Sequence, residues 1–391
     1  MDIVYQKKNI PAKVTNAGYI LLIAGIVLSV FGYMTDLERS AFNNIILLTF
    51  IISVGVGALF LIGSEYLSGA VWSVPFRRIV EFIAASVLVV PFVALPVLAN
   101  MGHIFHWMHP EAVEMDDLLK SKAPYLNVEF FVIRVAAFIA VWWLFYFLLT
   151  RNSLKQDATK DQQLTKINTK ISAVFMPFFA ITITFTAIDW LMSLEPHWFS
   201  TIFGVYYFSG TVLAGLATAT IAIVLLSENG YLVKGISSDN YYSLGALLFA
   251  FTNFWAYIAF SQYLLIWYAN LPEETIWFLE RWEGSWKYVS IGLIFIRFVI
   301  PYFGLLSQPS KKDPRRLVVM SFVILIAHYY DLYWMVMPTF AKEGFVFGWI
   351  EIGFILLAAG ILLTIFSYMA NKHNMVAVGD PKLKRGIDFR L

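Results

Sequence analysis

The sequence predicts an all-α integral membrane protein of ten transmembrane helices, arranged as two parallel-repeated four-helix bundles flanked by the first and last helices. Three observations predict it. The 391 residues are 59% hydrophobic and only 14% charged, whereas soluble proteins carry about 25% charged residues. Ten apolar stretches are long enough to cross about 30 Å of hydrocarbon, and none alternates as barrel strands do. Polar residues inside them recur at a constant interval: Ser64-Glu65 as Ser227-Glu228, Tyr125 as Tyr288 and Arg134 as Arg297, each pair 163 residues apart. Apolar residues match by chance in such a composition; charges and tyrosines at one offset rarely do.

The stretches run over residues 17–34, 43–64, 76–99, 127–150, 170–192, 202–227, 242–270, 285–306, 316–337 and 347–371. The first is the shortest. Lys7, Lys8 and Lys13 precede it and no small-residue cleavage site follows, so it reads as an uncleaved anchor. Spans two to four recur as six to eight. Spans five and nine extend the repeat at an offset of 142, because loop 151–169 is longer than loop 307–315; Asp189-Trp190 up to Pro196 resembles Asp331 up to Pro338. Four spans is an even number, so the two copies share an orientation. The units expected are 1–42 (N-terminal segment and first helix), 43–192 and 202–337 (the bundles) and 338–391 (last helix and basic tail). Small residues at Gly55, Gly57, Gly210, Ala214 and Gly215 allow close helix packing.

Loop charge sets the orientation. One side holds the N-terminus, loops 65–78, 151–169, 228–241 and 307–315 and the C-terminus, with Lys155, Lys160, Lys166, Lys311, Lys312, Arg315, Lys382, Lys384, Arg385 and Arg390. The other holds loops 35–42, 100–126, 193–201, 271–284 and 338–346, with Arg39, Lys120, Lys122, Arg281 and Lys342. Both termini are therefore expected in the cytoplasm. The net charge of +2 follows from this topology and implies no nucleic acid. The absence of cysteine excludes disulfides, covalently attached haem and iron–sulfur clusters held by this chain, and no Gly-rich phosphate loop is present. Loops 100–126 and 271–284 are aromatic, with Trp107, Trp198, Trp267, Trp277, Trp282 and Trp286 near that face. Two readings stand: an interfacial aromatic belt, or a docking surface for a periplasmic partner.

Arg134, Asp189, Arg297, His328, Asp331 and Glu351 fall inside the spans. An Arg or Asp at a helix centre costs about 2.5–3.5 kcal/mol, and five unpaired on the order of 12–18 kcal/mol, so these groups must be paired, hydrated or neutral. Arg134 with Asp189 and Arg297 with Asp331 are the expected equivalent pairs. Each is either a structural clamp or part of a proton path or quinol-facing site, since intramembrane acids and histidines relay protons. His328 and Asp331, three residues apart, share a helix face, and a histidine with a nearby carboxylate can exchange protons near neutral pH. Glu65, Glu81 and Glu228 sit at the cytoplasmic ends of spans two, three and six, either as boundary residues or as half-channels. Tyr206, Tyr207, Ser209, Ser261, Tyr263 and Tyr329 either carry a water wire or pack as ordinary core. A bis-histidine haem is not expected, since His328 is the one histidine deep in a span. His103, His106 and His109 lie on an acidic extramembrane loop and are not taken as metal ligands.

The strings Ser193-Leu-Glu-Pro-His-Trp-Phe-Ser-Thr-Ile-Phe-Gly-Val-Tyr-Tyr-Phe208, Phe260-Ser-Gln-Tyr-Leu-Leu-Ile-Trp-Tyr-Ala-Asn270, Pro272-Glu-Glu-Thr and Arg281-Trp-Glu-Gly-Ser-Trp286 resemble the F-type membrane subunit of bacterial alternative complex III. That complex is a quinol:cytochrome c or quinol:oxidase oxidoreductase, and the subunit belongs to the NrfD-like, polysulfide-reductase-membrane-subunit group. The resemblance covers nearly the whole chain. It implies two four-helix bundles in ten spans and a bacterial inner membrane. The implied partners are a multihaem cytochrome, a monohaem cytochrome, an iron–sulfur subunit, a second NrfD-like quinol-binding subunit and, in some assemblies, a haem–copper oxidase. Quinol, haem c and iron–sulfur clusters would then sit in those partners, with no cofactor on this chain, and the catalytic quinol site would lie in the sister subunit. For this subunit it implies proton conduction or scaffolding.

Three functional expectations follow. The first is a non-catalytic subunit of a quinol-oxidising complex with a proton route through Arg134, Asp189, Arg297, His328, Asp331 and Glu351. The second is a pure scaffold. The third is a secondary transporter, against which the repeat lacks paired Gly/Pro-broken helices, although Pro91 and Pro96 break span three.

Overall fold

The computed structural model of the protein describes residues 5–391, and every regular element among them is helical. Among the described residues, ten helical spans are long and apolar enough to cross a membrane: α1 Ala12–Thr35, α2 Leu37–Ser68, α3 Val74–Ala99, α4 Val128–Thr159, α5 Gln163–Leu194, α6 Phe203–Glu228, α7 Ser238–Ala269, α8 Trp286–Leu305, α9 Pro314–Phe340 and α10 Trp349–Lys372. An even number of crossings returns both ends to one side, here the tail face. There the Tyr5 hydroxyl accepts from the Met375 amide at 2.9 Å, and Lys7 donates to the Asn371 carbonyl at 2.7 Å. The opposite side is the loop face.

Local chemistry sets the helix ends. α2 begins six residues before the apolar run does. Asp36 alone separates it from α1, and its carboxylate accepts from the Arg39 amide at 3.1 Å as an N-cap. The expected loop 35–42 is therefore a single-residue corner. Gly69, at φ 64°, ends α2 in the left-handed conformation that glycine adopts without steric cost. α7 opens on a capping box between Ser237 and Asn240. α3 is not one α-helix: residues Ala85–Val89 tighten to 3₁₀ immediately before Pro91, where the ring removes a donor. α8 carries a π-turn at Phe295–Val299, just before Pro301, and Arg297 sits in it.

α2 and α6 form the buried centre, 89% and 78% of their apolar windows being enclosed, against 22% for α1. Around them lie two quartets of consecutive helices, α2–α5 and α6–α9. α2 packs on α3 and α5 as α6 packs on α7 and α9, and α4 packs on α5 as α8 packs on α9. α2 and α6 meet at Gly57 and Gly215. A methyl on Gly57 would lie 2.3 Å from the Thr211 carbonyl oxygen, and one on Gly215 2.7 Å from the Ala58 nitrogen. Without a hydrophobic force between helices in lipid, such small-residue contact is what brings backbones together.

The first and last helices do not flank the bundles separately. α1 packs along α10, and α10 rests on α2 and α3. The seam closes at Gly25 and Gly360, where a methyl would fall 2.4 Å from the Leu357 nitrogen and 2.3 Å from the Leu22 nitrogen. Residues 1–42 and 338–391, separate in the sequence reading, thus contribute to one two-helix layer beside the first quartet.

Candidate functional site

Two arginine–aspartate sites lie in the membrane-spanning part, one in each quartet. In the first, α4 presents Arg134 and α5 presents Asp189. The guanidinium grips the carboxylate with two hydrogen bonds, Nε to Oδ2 at 2.9 Å and Nη2 to Oδ1 at 3.0 Å. Nη1 donates to the Tyr125 carbonyl at 3.0 Å, and the Tyr125 hydroxyl donates to Asp189 Oδ1 at 2.8 Å. Arg134 also lies 3.9 Å from the centre of the Tyr125 ring. Two parallel N–H···O⁻ bonds plus an aromatic face are the arrangement in which a buried arginine is most stable. Tyr125 itself is just outside the spans, and its phenol is raised by burial and then by the neighbouring Asp189 charge.

The second site has the same two charges and a different geometry. Arg297 of α8 lies 3.6 Å from Asp331 of α9, measured from Nε to Oδ2, beyond hydrogen-bonding distance. Its Nη2 is instead 3.0 Å from His328 Nδ1, and its Nη1 is 3.3 Å from the Ile324 carbonyl. Neutral donors hold the Asp331 carboxylate: the Tyr206 hydroxyl to Oδ1 at 2.5 Å and the Trp255 indole to Oδ2 at 3.1 Å. An arginine has only donors to offer, so His328 Nδ1 must accept and its proton sits on Nε2. Among the described residues, that Nε2, Arg297 Nε and, further along α9, the Tyr329 hydroxyl make no hydrogen bond although buried, and Phe50 of α2 packs against both the His328 and Tyr329 rings. Gly210 of α6 leaves room for the cluster: a methyl there would lie 2.8 Å from His328 Cε1 and 2.9 Å from Arg297 Nη2.

Several sequence expectations change here. His328 and Asp331 do face the same neighbour, but no hydrogen bond joins them, because Arg297 takes the imidazole nitrogen and Tyr206 and Trp255 take the carboxylate. Glu351 does not join the Arg297 group. It is bound by Arg39, with Nε 2.8 Å and Nη2 2.6 Å from its two oxygens, by Asn43 at 2.9 Å and by the Gly348 amide at 2.7 Å. The Ser-Glu echo diverges: Glu65 is buried against Arg77, whereas Glu228 is exposed and accepts from Tyr241 at 3.1 Å. So does the tyrosine echo, since Tyr288 is 67% exposed and Tyr206 supplies the hydroxyl that Tyr125 supplies in the first site. Glu81 is buried 3.0 Å from Arg78, which also reaches Asp157 at 2.8 Å. Of the hydroxyls, Tyr207 donates to the Thr49 carbonyl at 2.7 Å and lies 3.1 Å from Ser53, at the α2–α6 seam.

Four arginines in the expected loops or at the start of an expected span are enclosed or half-enclosed ion-pair partners. Arg39 ties α2 to α10; Arg77 joins Glu65 to Asp380 of the C-terminal tail at 2.5 Å; Arg78 is described above. Arg281 donates to Glu195 at 3.2 Å and to the Met335 carbonyl at 2.8 Å, with its guanidinium 3.7 Å from the Trp277 ring centre. Burial lowers the Arg281 proton affinity below its ordinary value. One signal was available. The turned-in loop cations are mostly arginines, while Lys120, Lys155, Lys160 and Lys166 are exposed. A weakly hydrated planar fork tolerates enclosure better than an ammonium does.

On the loop face a cleft of about 510 Å³ opens between the quartets, lined by residues including His103, His106, His109, His197, Glu38, Glu195, Glu280 and Lys342. Glu280 is raised by burial and by Glu195. His197 lies 2.5 Å from Asp116, and that contact lowers Asp116 below the ordinary carboxylate range. Among the described residues, no group of three or more His, Asp or Glu is placed to hold a metal ion. No family model matches the chain, and no curated protein matches it.

Proposed function

We propose that this chain is a membrane subunit of a respiratory quinol-oxidising complex of the alternative complex III kind, carrying no redox centre and conducting protons through the Arg297–His328–Asp331 site. The resemblance of residues 193–208, 260–270 and 281–286 to the F-type subunit supports the complex; the bacterial inner membrane, the cytoplasmic tail face and the cytochrome, iron–sulfur and quinol-binding partners come with it. One observation carries the proton role. The second site is a buried acid held by neutral donors, beside a histidine nitrogen and an arginine nitrogen that have no hydrogen-bond partner among the described residues. Buried polar atoms without protein partners are where water enters a membrane protein, and water beside a protonatable acid is what proton transfer requires.

Asp331→Asn in the intact complex tests this: it should leave the subunits co-purifying and quinol oxidation coupled to a smaller proton movement across vesicles. Unchanged proton movement with normal assembly would reject the route. A scaffold role has its own support in the first site and in the tail-face pairs Arg77–Glu65–Asp380 and Arg78–Glu81–Asp157, which join distant parts of the chain. On that reading, Arg77→Leu costs assembly and leaves the turnover of surviving complexes unaltered.

A further inference from the structure

We propose that His328 is a positioning residue that holds the Arg297 guanidinium off Asp331, so that the carboxylate stays bound by neutral donors and open to a proton. The first site is the internal control. There an arginine and an aspartate on the third and fourth helices of the first quartet close to 2.9 and 3.0 Å with two hydrogen bonds. In the second, the distance is 3.6 Å and the arginine faces the imidazole at 3.0 Å. The 142-residue interval that separates Asp331 from Asp189 also separates His328 from Thr186. Thr186 is buried and satisfies its hydroxyl on the Thr182 carbonyl of its own helix at 2.7 Å, so it makes no claim on Arg134. Where the position holds threonine the pair is shut; where it holds histidine the pair is open.

The chemistry agrees. A neutral imidazole with its proton on Nε2 presents Nδ1 as an acceptor, and a guanidinium that spends an N–H there has one fewer for the carboxylate. The groups around Asp331 can be named from every side. α8 contributes Arg297, α6 the Tyr206 phenol, α7 the uncharged Trp255 indole and α9 His328 itself, while α2 brings Phe50 against the imidazole. Arg297 is the single cation in that set, so its distance decides how strongly the ionised carboxylate is favoured. The π-turn that carries Arg297 gives the guanidinium its position between the two claimants, and Gly210 gives it space.

The inference rests on the proton-carrying reading for its purpose, but its test reads Asp331 directly. In the purified complex in lipid nanodiscs, infrared spectra recorded over pH should contain a protonated-carboxyl C=O band that is absent in Asp331→Asn. In His328→Thr, the residue of the first site, Arg297 closes on Asp331. The band should then vanish at least about one pH unit lower, a tenfold change in proton affinity. His328→Gln keeps a neutral acceptor and should retain the wild-type midpoint, which separates positioning from mere packing. An unchanged midpoint in His328→Thr, or an equal shift in His328→Gln, overturns the proposal. Lost proton movement in Asp331→Asn with no effect of His328→Thr on the band would spare the functional reading and sink this one. The converse result would spare this one.

Discussion

The two arginine–aspartate sites occupy corresponding places in the two quartets, yet one is shut and the other is not. Arg134 and Asp189 satisfy each other, with Tyr125 completing the set; every group has a partner and nothing invites water or a proton. Arg297 and Asp331 are at least as buried, at 1% exposure each against 7% and 1%, yet they divide their hydrogen bonds among His328, Ile324, Tyr206 and Trp255. Burial alone therefore does not decide whether a charged pair clamps or stays adaptable. A third group able to accept from the arginine does. A pair that closes on itself repays much of its desolvation cost; one that is shared leaves the acid free to change state.

That contrast can be broken in order of expected effect. Arg134→Leu removes both charge-assisted hydrogen bonds from Asp189 and leaves it with Tyr125, so thermal unfolding of the purified complex should report a loss of about 3–5 kcal/mol. Arg297→Leu should cost about 1–2 kcal/mol less, because Asp331 keeps Tyr206 and Trp255; equal or reversed losses would refute the distinction. Next comes Tyr206→Phe, which deletes a short hydrogen bond to a buried carboxylate at an expected cost of about 1.5–3 kcal/mol. Tyr125→Phe should fall at the low end of that span, since Asp189 retains Arg134. Gly210→Ala presses a methyl on His328 and Arg297 and should destabilise by about 1–3 kcal/mol, moving the Asp331 carboxyl band in the same experiment; a methyl that perturbs neither would mean the cluster is loose. The smallest effect is expected at Glu280, away from both sites. Its proton affinity is raised above the ordinary 4.5 by burial and Glu195, so the folded state binds the proton more tightly and stability falls as pH rises above that value. Glu280→Gln should accordingly gain a little stability at pH 7 and none at pH 4.

Much of this was written in the chain. Ten apolar runs, an excess of Lys and Arg in alternate loops and residues echoed at one offset marked the spans and singled out Arg134, Asp189, Arg297 and Asp331 before any contact was known. The misses have a common form. Arg39, Arg77, Arg78 and Arg281 fall at helix ends or between spans, where sequence offers no sign of whether a cation faces water or folds back on an acid. Glu351 went to Arg39 rather than Arg297 because α10 packs on α2, a neighbourhood invisible to periodicity. Tyr288 and Glu228 kept the echo in letters but not in surroundings, since an offset preserves position along a helix and not what packs against it.

Composition and hydropathy determined ten helices long and apolar enough to cross a bilayer, because backbone groups in hydrocarbon must bond within their own helix and only long apolar runs meet that demand. The same pressure dictated that each charge in a span would need company. Which company was settled by the packed helices: α6 and α7 bring Tyr206 and Trp255 to Asp331, and a histidine one turn away draws the arginine aside. Hydrogen bonds between side chains depend on angles and tenths of an ångström across helices remote in sequence, and only the assembled bundle fixes those.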